Sequence, residues 1–150
     1  MKIESNICID GTKEQIWKVI TDIENSVNTI EAIEKIEILE KPASGLLGLK
    51  WRETRIMFGK SATEVMWITD SAENEYYQTR AESHGAVYIS RLQIETQGVE
   101  TCVRMIFEGE PQGTFAKIMA AATGFIFKGA TQKALDEDLR NIKASVENSD

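Results

Sequence analysis

The sequence predicts an α+β fold in which a run of antiparallel strands is followed by one long C-terminal helix. Two observations carry this. From Leu49 to Phe107 apolar and polar side chains alternate between glycine-marked tight turns. From Pro111 to Val146 the apolar spacing changes to a helical period. The chain has 150 residues, so residues 1–150 are expected to form one domain.

Residues 2–9 alternate, with Ile3, Ile7 and Ile9 on one face, and read as a strand. Thr12 followed by Gln15 is a capping box that opens a short helix bearing Ile16, Trp17 and Ile20. A second short helix is expected around 25–31. Residues 33–41 hold Ile36 and Ile38 in alternation, and Lys41-Pro42 closes that strand. The loop PASGLLG (42–48) exposes Leu46 and Leu47 at its tip, either as one side of a portal or as ordinary loop packing.

Strands near 49–58 and 61–69 are joined by a turn placed at Gly59-Lys60, which sets Arg55 opposite Glu64. A turn at His84-Gly85 sets Ala81 opposite Tyr88, Thr79 opposite Ser90 and Tyr77 opposite Leu92. A turn at Gln97-Gly98 sets Leu92 opposite Val103, Ser90 opposite Met105 and Tyr88 opposite Phe107. These registers place Tyr77, Thr79, Ala81, Tyr88, Ser90, Leu92, Ile94, Val103, Met105 and Phe107 on one side. Gln78, Arg80, Glu82, Arg91, Gln93, Glu95 and Arg104 fall on the other. A slip of one residue would mix the two sets, so their separation supports a sheet with one buried face.

In the helical segment, residues 115–127 (FAKIMAAATGFIF) are apolar nearly all the way round, and Lys117 is their one charge. Residues 134–146 form an ordinary amphipathic helix with Leu135, Leu139, Ile142 and Val146 on one stripe. The stripe of Ile118 and that of Leu135 lie 17 positions apart, which at about 100° per residue is roughly a quarter turn out of phase. With Gly124 and Gly129 between them, a bend or break is expected at 123–129, leaving 112–123 free to act as a lid.

The order of elements, together with WRETRIMFGKSATEVMWITD (51–70) and FKGATQKALDEDLRNIKASVE (127–147), resembles the SRPBCC superfamily, and within it the polyketide cyclase/dehydrase and lipid-transport branch. The likeness covers the layout of the whole chain and is sharpest in those two stretches, which are fold signatures rather than catalytic motifs. It implies the START-like helix-grip fold: a curved seven-stranded antiparallel sheet, two short helices, and a long C-terminal helix over a cavity that takes a hydrophobic ligand.

On that reading Tyr77, Thr79, Tyr88, Ser90, Leu92, Met105 and Phe107 form the sheet wall of a ligand site, and Phe115, Met119 and Ala122 its helix wall. Read from pattern alone, the same residues favour a packed core with the hydroxyls bonded to neighbouring backbone, and it is the apolar helix and the resemblance that turn the reading towards a pocket. Glu53, Arg55 and Glu64 are a candidate polar anchor for a ligand carboxylate or hydroxyl if they point inward, and a solvated cross-strand group if they point outward. The face of Arg52, Thr54, Ile56, Phe58, Thr63, Val65 and Trp67 has fewer charges and is therefore set inward, although Trp51, Met57 and Met66 on the trio's face argue the other way.

Other chemistries find little support. The net charge of −7, with 17 basic residues scattered among 24 acidic ones, argues against a nucleic-acid partner and against an anionic membrane surface. His84 is the single histidine and sits in an expected turn, so neither a metal site nor a histidine base is expected. No phosphate loop, dinucleotide glycine pattern or serine elbow is present, and no cofactor is expected. Cys8 and Cys102 make no framework; they fall on the outward faces of their strands, and the fold resembled pairs those strands. The start, MKIESNICID, lacks a signal-like apolar core, and the longest apolar stretch is too short to span a bilayer, so a reducing cytoplasm is expected.

The leading expectation is a protein that binds or carries a hydrophobic small molecule (lipid, isoprenoid or polyketide-like), as a monomer or homodimer. The alternatives are a cyclase or dehydratase using the same cavity, and a homodimer or partner-binding module with a filled core.

Overall fold

The computed structural model describes residues 1–57, 59–83 and 85–149, with the side chains of 114–127 set aside. The elements run β1 (Lys2–Ile9), α1 (Lys13–Ile20), a short 3-10 helix (Ile23–Asn28), β2 (Ile33–Glu40), β3 (Lys50–Met57), β4 (Lys60–Ala72), β5 (Tyr76–Ser83), β6 (Ala86–Gln97), β7 (Glu100–Pro111) and α2 (Thr114–Glu147). The strands form one seven-stranded sheet in the order β1-β7-β6-β5-β4-β3-β2, every neighbouring pair antiparallel. This is the curved sheet and long C-terminal helix that the resemblance implied.

Local chemistry explains most boundaries. Thr12 accepts from the Gln15 amide, while the Gln15 side chain accepts from the Thr12 amide, so the expected capping box opens α1. The second short helix is a 3-10 segment starting two residues early; the Ser26 hydroxyl donates to the Ile23 carbonyl, a local bond that competes with α-helical pairing. Pro111 ends β7 rather than opening the helix, and Gly113, at φ +85°, turns the chain into α2.

The β5–β6 register agrees with expectation: Ala81 faces Tyr88, Thr79 faces Ser90 and Tyr77 faces Leu92. The two other hairpins are displaced by two residues. Met57 pairs with Lys60, so Gly59 is the second loop residue, and Glu53 rather than Arg55 faces Glu64. Gln97 pairs with Glu100, so Gly98 is the first loop residue, and Leu92 faces Met105, Ser90 faces Phe107 and Tyr88 faces Gly109. Both glycines hold positive φ, and either loop position can demand that; the glycine marks the turn without fixing its phase. Because the displacement is even, every side chain keeps its face.

The core occupies one end of the concave side. Ile16 of α1 and Leu139 of α2 are almost fully buried, and they join Ile9, Ile68, Ile94, Val103, Ile142 and Val146 in one cluster. Leu46 packs against that cluster and Leu47 is exposed, which is the packing reading of the 42–48 loop. Helix α2 continues through 123–129, so the expected break is absent. Each glycine there costs about 1 kcal/mol of helix propensity, less than the backbone hydrogen bonds that a break would give up. No helix among the described residues is long and apolar enough to cross a membrane.

Cys8 and Cys102 lie directly opposite one another on β1 and β7 and are joined by a disulfide. Their spacing suggested no disulfide framework and a reducing compartment, while the fold resembled brought their strands together; the pairing of β1 with β7 places them face to face.

Candidate functional site

The other end of the concave side holds a pocket of about 860 Å³ bounded by β3–β7, by the segment from Val19 to Ile33, and by α2 from Thr131 to Ile142. The hairpin arms near Met57 and Lys60 stand at its rim. Its wall on the sheet comes from the face of β5, β6 and β7 that period-2 alternation directs inward. Tyr77, Thr79, Tyr88, Ser90, Leu92, Met105 and Phe107 all border it. Tyr88 and Phe107 stack with ring centroids 5.6 Å apart. Phe115, Met119 and Ala122, the expected helix wall, lie outside the described residues, as do Phe58 and His84.

The face of β3 and β4 is the reverse of the one that charge counting set inward. Trp51, Glu53, Arg55 and Met57 border the pocket together with Ala62, Glu64 and Met66, while Ile56 is exposed. The indole explains the choice. Trp51 is 3% exposed, and burying so large an apolar surface outweighs the cost of taking neighbouring charges inward, provided those charges are paired.

They are paired. Arg55 Nε donates to Glu53 Oε2 at 3.0 Å, and Arg55 Nη1 donates to Asp138 Oδ2 at 3.1 Å. Trp51 Nε1 donates to Glu53 Oε1 at 3.3 Å. Glu53 and Asp138 are buried, so the network sits in low dielectric with one cation shared between two carboxylates. Burial opposes the charge on Arg55, but Asp138 and then Glu53 more than offset it and hold its pKa above the ordinary value. Burial raises the carboxyl of Asp138; Arg55 pulls the other way without cancelling it. The Asp138 carboxyl therefore keeps its proton to higher pH than an ordinary aspartate.

The tyrosines differ. The Tyr77 hydroxyl donates to the Ile20 carbonyl at 3.1 Å, and its ring meets Trp17 edge-on at 6.3 Å. Burial raises its pKa strongly, with Glu53 adding to the effect, so this hydroxyl is a fixed structural donor. Tyr88 is less enclosed; burial first and Glu64 second raise its pKa. Thr131 is 4% exposed and borders the pocket, and among the described residues its Oγ1 is the buried side-chain oxygen without a hydrogen-bond partner.

Asp138 and Thr131 were missed by sequence reasoning, although a signal was present. Thr131, Leu135, Asp138 and Ile142 follow one another at helical spacing, so both polar residues lie on the apolar stripe of α2. Among the described residues one trio of possible metal donors comes together, Cys8, Glu100 and Cys102, and both of its sulfurs are consumed by the disulfide.

Comparison with known proteins matches residues 1–147 to the family described as polyketide cyclase / dehydrase and lipid transport. No curated protein matches the chain. Among solved structures, one from Thermus thermophilus superposes with a TM-score of 0.81 at 14% identity, covering 99% of this chain and 100% of that one. The Zhui aromatase/cyclase from Streptomyces sp. R1128 gives 0.76 at 14% identity, over 98% of this chain and 93% of that one. A START superfamily protein from Mycobacterium smegmatis gives 0.69 at 17%, over 94% and 98%. At such identities the likeness is one of fold.

Proposed function

The chain belongs to the polyketide cyclase / dehydrase and lipid transport family, and from that premise we propose that it binds or carries a hydrophobic small molecule in the pocket between the sheet and α2. The ligand is of lipid, isoprenoid or polyketide-like kind, and residues 1–150 act as one binding domain. One observation carries the reading. The pocket's volume falls in the range of small-molecule sites, and its wall is mostly apolar with a few convergent polar groups. At ~25 cal/mol/Å², enclosing a few hundred square ångströms of apolar ligand offsets the cost of association. Native mass spectrometry on gently purified protein tests this. An adduct, or one gained from a panel of lipids and quinones, is expected; protein that stays bare throughout contradicts it.

A second reading, a cyclase or dehydratase, draws on the Glu53–Arg55–Asp138 network. Such chemistry needs a proton donor or acceptor inside the pocket, and the raised carboxyl of Asp138 supplies one beside a guanidinium able to hold an enolate or carbonyl oxygen. Turnover of a poly-β-ketone substrate analogue that is lost in Asp138→Asn would support it.

On either reading the protein acts as a monomer or homodimer, and the Cys8–Cys102 disulfide weighs against the reducing cytoplasm expected from the sequence. Sedimentation and cell fractionation test those two points.

A further inference from the structure

Resting on the binding reading above, we infer that the pocket selects an uncharged ligand whose polar end is a hydroxyl, an alcohol or phenol, and discriminates against apolar carboxylates. The charge arrangement leads there. Among the described residues Arg55 is the one partly buried cation of the pocket, and it already serves Glu53 and Asp138. The remaining charged groups on the described wall are the half-buried Glu64 and the exposed Lys60 at the rim. A ligand carboxylate brought beside Arg55 would be a third anion sharing one cation in a low-dielectric site, where like charges a few ångströms apart repel strongly.

The open hydrogen-bonding positions specify what fits instead. Among the described residues Asp138 Oδ1 receives no protein donor and Arg55 Nη2 has no protein acceptor. The polar end must therefore donate to Asp138 and accept from Arg55. A hydroxyl does both. An ammonium only donates and would sit beside the guanidinium, while an ester or ketone only accepts and leaves Asp138 Oδ1 unserved.

The experiment measures equilibrium binding of dodecanol, methyl dodecanoate and dodecanoate at pH 7 to the full chain, below their micelle concentrations. Dodecanol is expected to bind about tenfold or more tighter than dodecanoate, with the ester between them. Asp138→Asn and, separately, Glu53→Gln each remove one buried negative charge and are expected to bring the alcohol-to-acid ratio to within about threefold. Either variant suffices if the other does not fold. Equal binding of alcohol and acid, or tighter binding of the acid, overturns the selection. An ester as tight as the alcohol overturns the role of the hydroxyl. If none of the three binds, while native mass spectrometry shows another apolar adduct, the inference fails and the binding reading stands; if nothing binds in either experiment, both fail.

Discussion

Arg55 and Asp138 lie 83 residues apart in the chain and meet at 3.1 Å, joining the second half of β3 to the C-terminal half of α2 across the pocket. The contact tethers the helix to the far side of the sheet from β1, where α2 is otherwise anchored. There the Lys143 ammonium donates to the Cys8 carbonyl, and the Gln132 amide donates to the Glu4 carbonyl. This partly buried ion pair lines the pocket and ties two of its walls together.

Removing the cation should be costly. Arg55→Met leaves Glu53 and Asp138 buried without a counter-charge, and a loss of about 3–5 kcal/mol is expected at pH 7. Adding Asp138→Asn should recover part of it. Chemical denaturation of the two variants checks this; a loss under about 1 kcal/mol would mean that the network is solvated.

Asp138 should also shape the pH dependence of stability. Its folded pKa is raised above the ordinary 3.8, so between those two values the native state holds the additional proton. Its contribution is therefore largest below the unfolded value and declines as pH climbs through the folded one. Stability of the wild type relative to Asp138→Asn should fall as pH rises above about 4, as read from paired denaturation curves. A difference independent of pH, or one that grows, contradicts the assigned shift.

These two carboxylates mark where the sequence was legible and where it was not. Period-2 alternation placed Tyr77, Thr79, Tyr88, Ser90, Leu92, Met105 and Phe107 on one face, and even-numbered errors in two turns left that placement intact. The faces of β3 and β4 were inverted because charge counting was given more weight than Trp51, Met57 and Met66, while Trp67 on the opposite face left the apolar evidence divided. Trp51 fixes which side is buried, and Asp138, distant in sequence, supplies the third member of the ion network that makes inward charges tolerable. The break expected in α2 rested on a phase difference along a straight helix, whereas the helix runs unbroken from Thr114 to Glu147.

Tyr77→Phe separates structure from chemistry. It deletes the bond to the Ile20 carbonyl and should cost about 1 kcal/mol while leaving ligand affinity within about twofold. A large loss of binding or turnover with normal stability would give Tyr77 a direct role.

Gly109 leaves room for the Tyr88 ring, since a Cβ placed there would stand 3.1 Å from both Cδ1 and Cε1. Gly109→Ala should push that ring towards the pocket and weaken binding several-fold. Titration of an apolar ligand against both proteins decides it; unchanged affinity means that the ring yields in another direction.

Reduction of the Cys8–Cys102 bond opens a link spanning 94 residues and should lower stability by roughly 2–4 kcal/mol. The β1–β7 backbone pairs continue to hold the register, so the far-ultraviolet circular dichroism spectrum should not change. A reduced protein that unfolds outright, or loses no stability, contradicts this.

The central claim is that the space between sheet and helix receives an apolar molecule, and the most direct measurement is titration with a neutral, environment-sensitive fluorophore. Wild type should give a saturable, one-site signal, and Ala134→Trp, which places an indole in the pocket from α2, should abolish it without a large drop in melting temperature. The absence of a saturable signal in the wild type, or an equal signal in a folded Ala134→Trp variant, would contradict the account.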